Sequence, residues 1–112
     1  MNSILIYVKK KLGINQDDTY FDDDIIGYIN SVLTTINQLG VGPSTGFIIT
    51  GIDEKWTDLI GERKDIEIVK TLIYMKVRLI FDPPTNNNVL ESVERQITEM
   101  EWRLNQQMEG GI

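Results

Sequence analysis

The sequence predicts an all-α fold, a small bundle of about four main helices, on three observations. Asp65 to Asp82 is apolar nearly all round, two further segments each carry one apolar seam at helical spacing, and the single β-like run has no second run to pair with. The elements are a short N-terminal helix, a long second helix, a buried central helix and a C-terminal helix, with a long loop between the second and central helices. Residues 1–112 read as one domain, with 106–112 a flexible tail.

The N-terminal helix runs to Leu12, capped by Asn2 or Ser3, with Ile4, Leu5, Val8 and Leu12 on one face. Gly13 ends it, and Lys9, Lys10 and Lys11 fall in the last turn, where positive charge complements the helix dipole. After a polar link, Asp22, Asp23 and Asp24 open the second helix at its positive end. Ile25, Ile29, Leu33 or Val32, Ile36 and Leu39 form its seam, and Gly40 closes it. Gly27 inside this helix costs about 1 kcal/mol relative to Ala, which suggests close approach of a neighbouring backbone. Val41 to Gly51 is rich in glycine and starts no helix. Its run Phe47, Ile48, Ile49 is either tucked under the domain or offered to another chain. Asp53 is placed to cap a helical turn or two through Ile60, with Trp56, Leu59 and Ile60 facing inward.

The central helix is too apolar for a single stripe, so neighbours are expected to surround it. Pro83 and Pro84 stop it, since neither has an N–H and Pro84 biases the residue before it away from the helical region. Asn88 then caps the last helix, with Glu91 three residues on. Leu90, Val93, Ile97, Met100 and Leu104 repeat with heptad spacing and are expected to pack on the central helix.

Composition narrows the function. The 112 residues are 41% hydrophobic and 25% charged, as in an ordinary globular domain. Cysteine and histidine are both absent, which removes disulfides, thiolate chemistry, the commonest general base and the commonest metal ligand. Four serines, Ser3, Ser31, Ser44 and Ser92, have no histidine to activate them. The acidic run from Asp17 to Asp24 lacks the glycine and terminal glutamate of a calcium loop. Gly40 to Gly46 resembles a phosphate loop in composition only. No cofactor and no enzymatic activity are expected. A net charge of -6 repels nucleic acid and anionic membrane. Lys70, Lys76 and Arg78 interrupt the central helix short of a membrane span, and the N-terminus lacks the charge order of a signal peptide. A soluble, unexported protein without a membrane partner is the expectation.

The block from Tyr74 to Pro84, YMKVRLIFDPP, leads into a polar turn and a helix carrying Val89 to Ile97 and Glu101-Trp102-Arg103-Leu104. Together with a first helix ending Lys9-Lys10-Lys11-Leu12-Gly13 and a second carrying Ile29-Asn30-Ser31, it resembles the head-tail connector (neck adaptor) proteins of tailed bacteriophages and prophages. The resemblance implies a helical structural subunit in a closed ring of about a dozen copies with heterologous contacts. It implies partners too: the protein itself, the portal protein and tail-side neck proteins, with DNA passing through the ring without specific binding. Assembly would take place in the host bacterial cytoplasm, and the final location would be the virion neck.

Candidate subunit or partner contacts are Phe47, Ile48 and Ile49 on the loop, Arg78 and Asp82 from the motif, and Met108 and Ile112 on the tail. Arg78 and Asp82 are also i and i+4, the spacing of an ordinary pair on one helix face. The competing reading is a helical protein-binding module or small regulator that docks through the C-terminal helix, which would leave Val93, Ile97 and Met100 exposed.

Overall fold

A computed structural model of the chain describes residues 3–61 and 66–110, with only the backbone described over 107–110. Its helices are α1 (Ile4–Lys11), α2 (Asp22–Asn37), α3 (Trp56–Ile60), α4 (Ile66–Phe81) and α5 (Asn87–Gly110). The described residues contain no strand. One antiparallel bridge, Ser3 to Lys55, ties the start of α1 to the start of α3. The all-α bundle is therefore as the sequence predicts. Asp65, given to the central helix from sequence, and Ile112 lie outside the described residues.

Ser3 caps α1, its hydroxyl accepting the Ile6 N–H at 3.3 Å, and Gly13 takes a left-handed φ of 82° just past the end. The helix buries Ile4, Leu5, Val8 and also Lys9, which is only 2% exposed. The Lys9 ammonium donates to the carbonyls of Asp18 at 2.7 Å and Gln16 at 3.1 Å, and pairs with the Asp22 carboxylate at 2.8 Å. Two hydrogen bonds to carbonyls and one ion pair surround the ammonium, the kind of pairing under which a buried charge is tolerated. Lys9 is thus a buried tether that folds the 13–21 link over α1 and fixes where α2 begins. Only Lys10 and Lys11 remain solvated at the helix end as the dipole argument expects.

In α2 both Val32 and Leu33 are buried, together with Ile25, Ile29 and Ile36. The expectation for Gly27 is overturned. A methyl group added there would meet nothing within 4 Å, because the residue sits on the outer face of the helix.

Beyond α2 the chain is irregular but pinned. The Asn37 side chain donates to the carbonyls of Val41 at 2.9 Å and Pro43 at 2.8 Å. Gly42 has φ 87° and lies so close to Leu59 that a Cβ would come within 2.9 Å of it, so a side chain is excluded here both by conformation and by space. Asp53 does not cap the next helix. Lys55 occupies the N-cap position of α3, and the Asp58 carboxylate reaches back to the Lys55 N–H at 2.9 Å. Trp56, Leu59 and Ile60 face inward as expected. The Trp56 ring meets Tyr7 edge-on, with centroids 5.4 Å apart.

Helix α4 touches each of the other four helices, and Val69, Leu72, Ile73 and Val77 are fully buried. It is not enclosed all round, however: Ile80 is 49% exposed, and Ile68, Met75 and Leu79 are half-buried. The Asp82 N–H closes the last turn on the Arg78 carbonyl at 2.8 Å before the proline pair. Phe81 packs against Phe21 at 5.3 Å and Tyr28 at 6.4 Å, holding the corner against the start of α2. The cap of α5 is Asn86 and not Asn88, its side chain accepting the N–H groups of Asn88 and Val89 at 2.8 and 3.2 Å. Along α5, Val93, Ile97 and Leu104 are buried and Met100 is half-buried. An ion pair of 2.7 Å between Lys76 and Glu101 joins α4 to α5.

Two stability predictions follow from these contacts. Lys9→Met keeps the buried stem but leaves the Asp22 carboxylate without its cation and two loop carbonyls without their donor, so urea unfolding should show a loss of about 2–4 kcal/mol. Gly27→Ala should raise stability by up to about 1 kcal/mol, because the helix gains propensity and nothing is displaced. The corresponding rise in Tm is about 4–8 °C; a loss of stability would show that the outer face of α2 is packed.

Candidate assembly surfaces

The loop, the α4 corner and the end of α5 carry the residues singled out from sequence. In the loop, Phe47, Ile48 and Ile49 part company. Ile49 is 1% exposed and its peptide group is claimed by α2. Asn30 donates from its amide nitrogen to the Ile49 carbonyl at 2.9 Å and accepts the Ile49 N–H at 2.8 Å. One side chain thus replaces the strand that the sequence does not supply. Ile49 belongs to the core and drops out as a contact residue. Phe47 is half-buried and Ile48 is 60% exposed, as an extended segment with one face inward requires.

Past Ile49 the loop is closed by Glu54. Its carboxylate accepts from the Thr50 hydroxyl at 2.7 Å, the Thr50 N–H at 2.9 Å and the Gly51 N–H at 3.3 Å. Burial pushes the Glu54 pKa up, but these hydrogen bonds to the ionised form outweigh it and hold the pKa below its ordinary value of 4.5. The knot turns Ile52 outward, 55% exposed.

Arg78 is half-buried and Asp82 exposed, and no ion pair joins them. Among the described residues the pairs are Lys9–Asp22, Lys70–Glu67, Lys76–Glu101 and Arg103–Glu99. Met108 lies within the part of α5 whose side chains are not described, and Ile112 lies outside the described residues.

A feature not anticipated from sequence lies where α2, α4 and α5 meet. It is an open, mainly apolar groove of ≈ 420 Å³ lined by Val32, Thr35, Leu79, Ile80, Ile97 and Thr98. Lys76 and Glu94 also contribute, the former neutralised by Glu101. Ile80, the exposed residue of α4, stands in this lining. A signal was present in the sequence: from Ile25 to Ile52 no Asp, Glu, Lys or Arg occurs. A chain one-quarter charged leaves both the outer face of α2 and the whole loop without charge.

The acidic run is used structurally, with Asp22 on Lys9 and the Asp18 carboxylate accepting the Tyr20 N–H at 3.1 Å. Among the described residues, no group of three or more acidic side chains is placed to hold a metal ion. Exposed apolar patches of this kind mark sites of protein contact or ligand binding.

Comparison with known families is decisive on the broad class. The phage connector protein family model matches residues 4–111. The chain belongs to the phage connector protein family. No curated protein and no solved structure matches it. The family match spans all five helices, so the loop, the α2 face and the groove are parts of the connector domain itself. Burial of Val93 and Ile97 against the bundle also takes away the free docking face that the protein-binding-module reading needs.

The Glu54 knot gives a pH prediction for this connector domain. A carboxyl whose folded pKa is depressed contributes stability above its unfolded value and loses it as pH falls through the folded value. Glu54→Gln should therefore be less stable than the native chain at neutral pH, with the gap narrowing as the pH drops below 4.5. Urea midpoints measured across that range check it, and a gap independent of pH would show that the charge of Glu54 is immaterial.

Proposed function

We propose that this chain is a non-enzymatic structural subunit of a phage or prophage head-tail connector, forming a ring that joins the portal to the tail and continues the DNA channel. The observation that carries the reading is the connector family match over residues 4–111. Two further features support it. The domain has apolar surface exposed on separate elements, Ile48 and Ile52 on the loop, Ile80 on α4 and Trp102 on α5, as a subunit contacting several neighbours requires. Its net charge of -6 suits a wall past which DNA must slide, since like charge opposes phosphate binding.

In this reading the partners are further copies of the chain, the portal protein on one side and neck proteins on the other. Arg78 and Asp82, unpaired with each other, are candidates for contacts at the corner, and Met108 and Ile112 for contacts beyond the bundle. The absence of histidine and cysteine from the sequence is in keeping with a role without catalysis. The subunit would assemble in the host cytoplasm and end in the virion neck.

Native mass spectrometry with negative-stain imaging, on the protein alone and mixed with the portal protein of the same phage, tests the proposal. A closed ring of one subunit number is expected, free or seated on the portal. A chain that stays monomeric in both preparations would overturn the ring.

A further inference from the structure

The groove and the loop occupy two flanks of the same helix. Thr34 and Asn37 of α2 lie under the loop, lining a depression with Phe47 and Ile48, whereas Ser31, Val32 and Thr35 line the groove. At 3.6 residues per turn these flanks are roughly 140° apart around α2. Between them on the outer arc of the helix lie Gly27 and Gln38, small or neutral and exposed.

Loop, arc and α2 wall all come from the charge-free run Ile25 to Ile52. Copies of a chain with net charge -6 repel one another, so contact between them is less opposed where at least one side presents no charge. Of the charged residues in the groove wall, Lys76 is already neutralised within its own subunit at 2.7 Å, and the Glu94 carboxylate would meet a loop that carries no charge. The loop brings an exposed isoleucine on an uncharged segment, and the groove a mainly apolar recess. A head-to-tail contact requires two different, complementary faces turned well away from each other.

Resting on the ring reading above, we infer that the loop around Phe47 and Ile48 of one copy seats in the α2–α4–α5 groove of the next, against Thr35 and Ile80. The same side chain that locks Ile49 into the core, Asn30, presents Ile48 outward, so the projection is held in place before contact. Preorganisation of this kind lowers the ordering cost of association.

The test uses two single-face variants, Ile48→Lys on the loop and Thr35→Lys in the groove, with Val89→Lys as a control at an exposed apolar site outside both. Circular dichroism melts establish that each folds. Sedimentation velocity is run on the chain alone and with the portal protein. Each of the two variants should raise the concentration needed for assembly by about tenfold or more, the scale of a lost interface anchor, while the control should not. An equimolar mixture of the two retains one intact loop and one intact groove, so it should form heterodimers and nothing larger. Because the chain has no cysteine, Ile48→Cys and Ile80→Cys chains give a second readout that does not depend on a buried lysine: mixed and oxidised, they should cross-link to each other.

Native chains that assemble while both lysine variants assemble equally well, or while the cysteine pair fails to cross-link, would overturn this contact and leave the ring standing. Loss of assembly in Thr35→Lys alone, with Ile48→Lys unaffected, would also overturn it, in favour of α2 packing on α2. A native chain that associates with neither itself nor the portal would overturn the ring reading and this contact with it.

Discussion

Burial of the inner seam of α4 is the constraint on which the other elements depend. Val69, Leu72, Ile73 and Val77 have no contact with water, and each such side chain contributes roughly 1.5–3 kcal/mol by leaving it. Alone, a helix of sixteen residues with that composition would be neither stable nor soluble. Helices α1, α2, α3 and α5 each turn one apolar face toward it, and no second core is needed. The proline pair then acts at a distance from the seam. By ending α4 at Phe81 it places that ring between Phe21 and Tyr28, which sets how α2 lies on α4. The return of α5 is fixed at the far side by Lys76 and Glu101.

Helices account for the core, but polar side chains account for everything between them. Lys9 gathers the link before α2, Asn30 and Asn37 hold the loop after it, and Glu54 closes the loop before α3. Each acts on backbone groups that no helix or sheet satisfies. A buried peptide group without a partner costs about 1–3 kcal/mol, so these four side chains decide whether the irregular third of the chain is a defined surface. They also differ in sensitivity. Asn30 and Asn37 are indifferent to pH, whereas the hold of Glu54 on Thr50 and Gly51 depends on its charge.

The helices were legible because their signals are redundant. The seams of α2 and α5 repeat over many residues, and Gly13, Gly40, Gly61 and the proline pair mark breaks that side chains cannot undo. The polar tethers were not legible, because their residue types have another, commoner use. A lysine in a last turn reads as a solvated dipole partner, and its long stem hides the fact that the head can be buried among carbonyls. Asn30 in mid-helix looks like any neutral surface residue, since its partner is nineteen positions away. In the row Asn86, Asn87, Asn88 all three side chains can cap, and only geometry selects Asn86. For Phe47, Ile48 and Ile49, alternation tells that neighbours face opposite ways but not which of them faces the core. Gly27 failed for a different reason: the inference looked for a neighbour inside the subunit, and the space beside it is open.

Segregation of charge is where fold and function meet. All acidic and basic residues lie before Ile25 or after Ile52, so the charge of -6 arises from the three aspartates that open α2 and from the segment from Asp53 onward, while the only charged side chains of α1 are lysines. The bundle arranges this one-dimensional separation in space by placing α2 with one face on α4 and the opposite face outward. A ring subunit of the proposed kind, approaching copies of itself while repelling a polyanion, needs surfaces of both kinds, and they must not be interleaved. Had the lysines and carboxylates been distributed evenly, as on an ordinary solvated domain, every surface would have carried some repulsion toward the next copy and none would have been reserved for contact. The outer face of α2 gives up helix propensity at Gly27 and the solubility that charge provides. In the proposed ring it gains a neutral surface on which the -6 of one copy opposes the next only from a distance, where salt screens it.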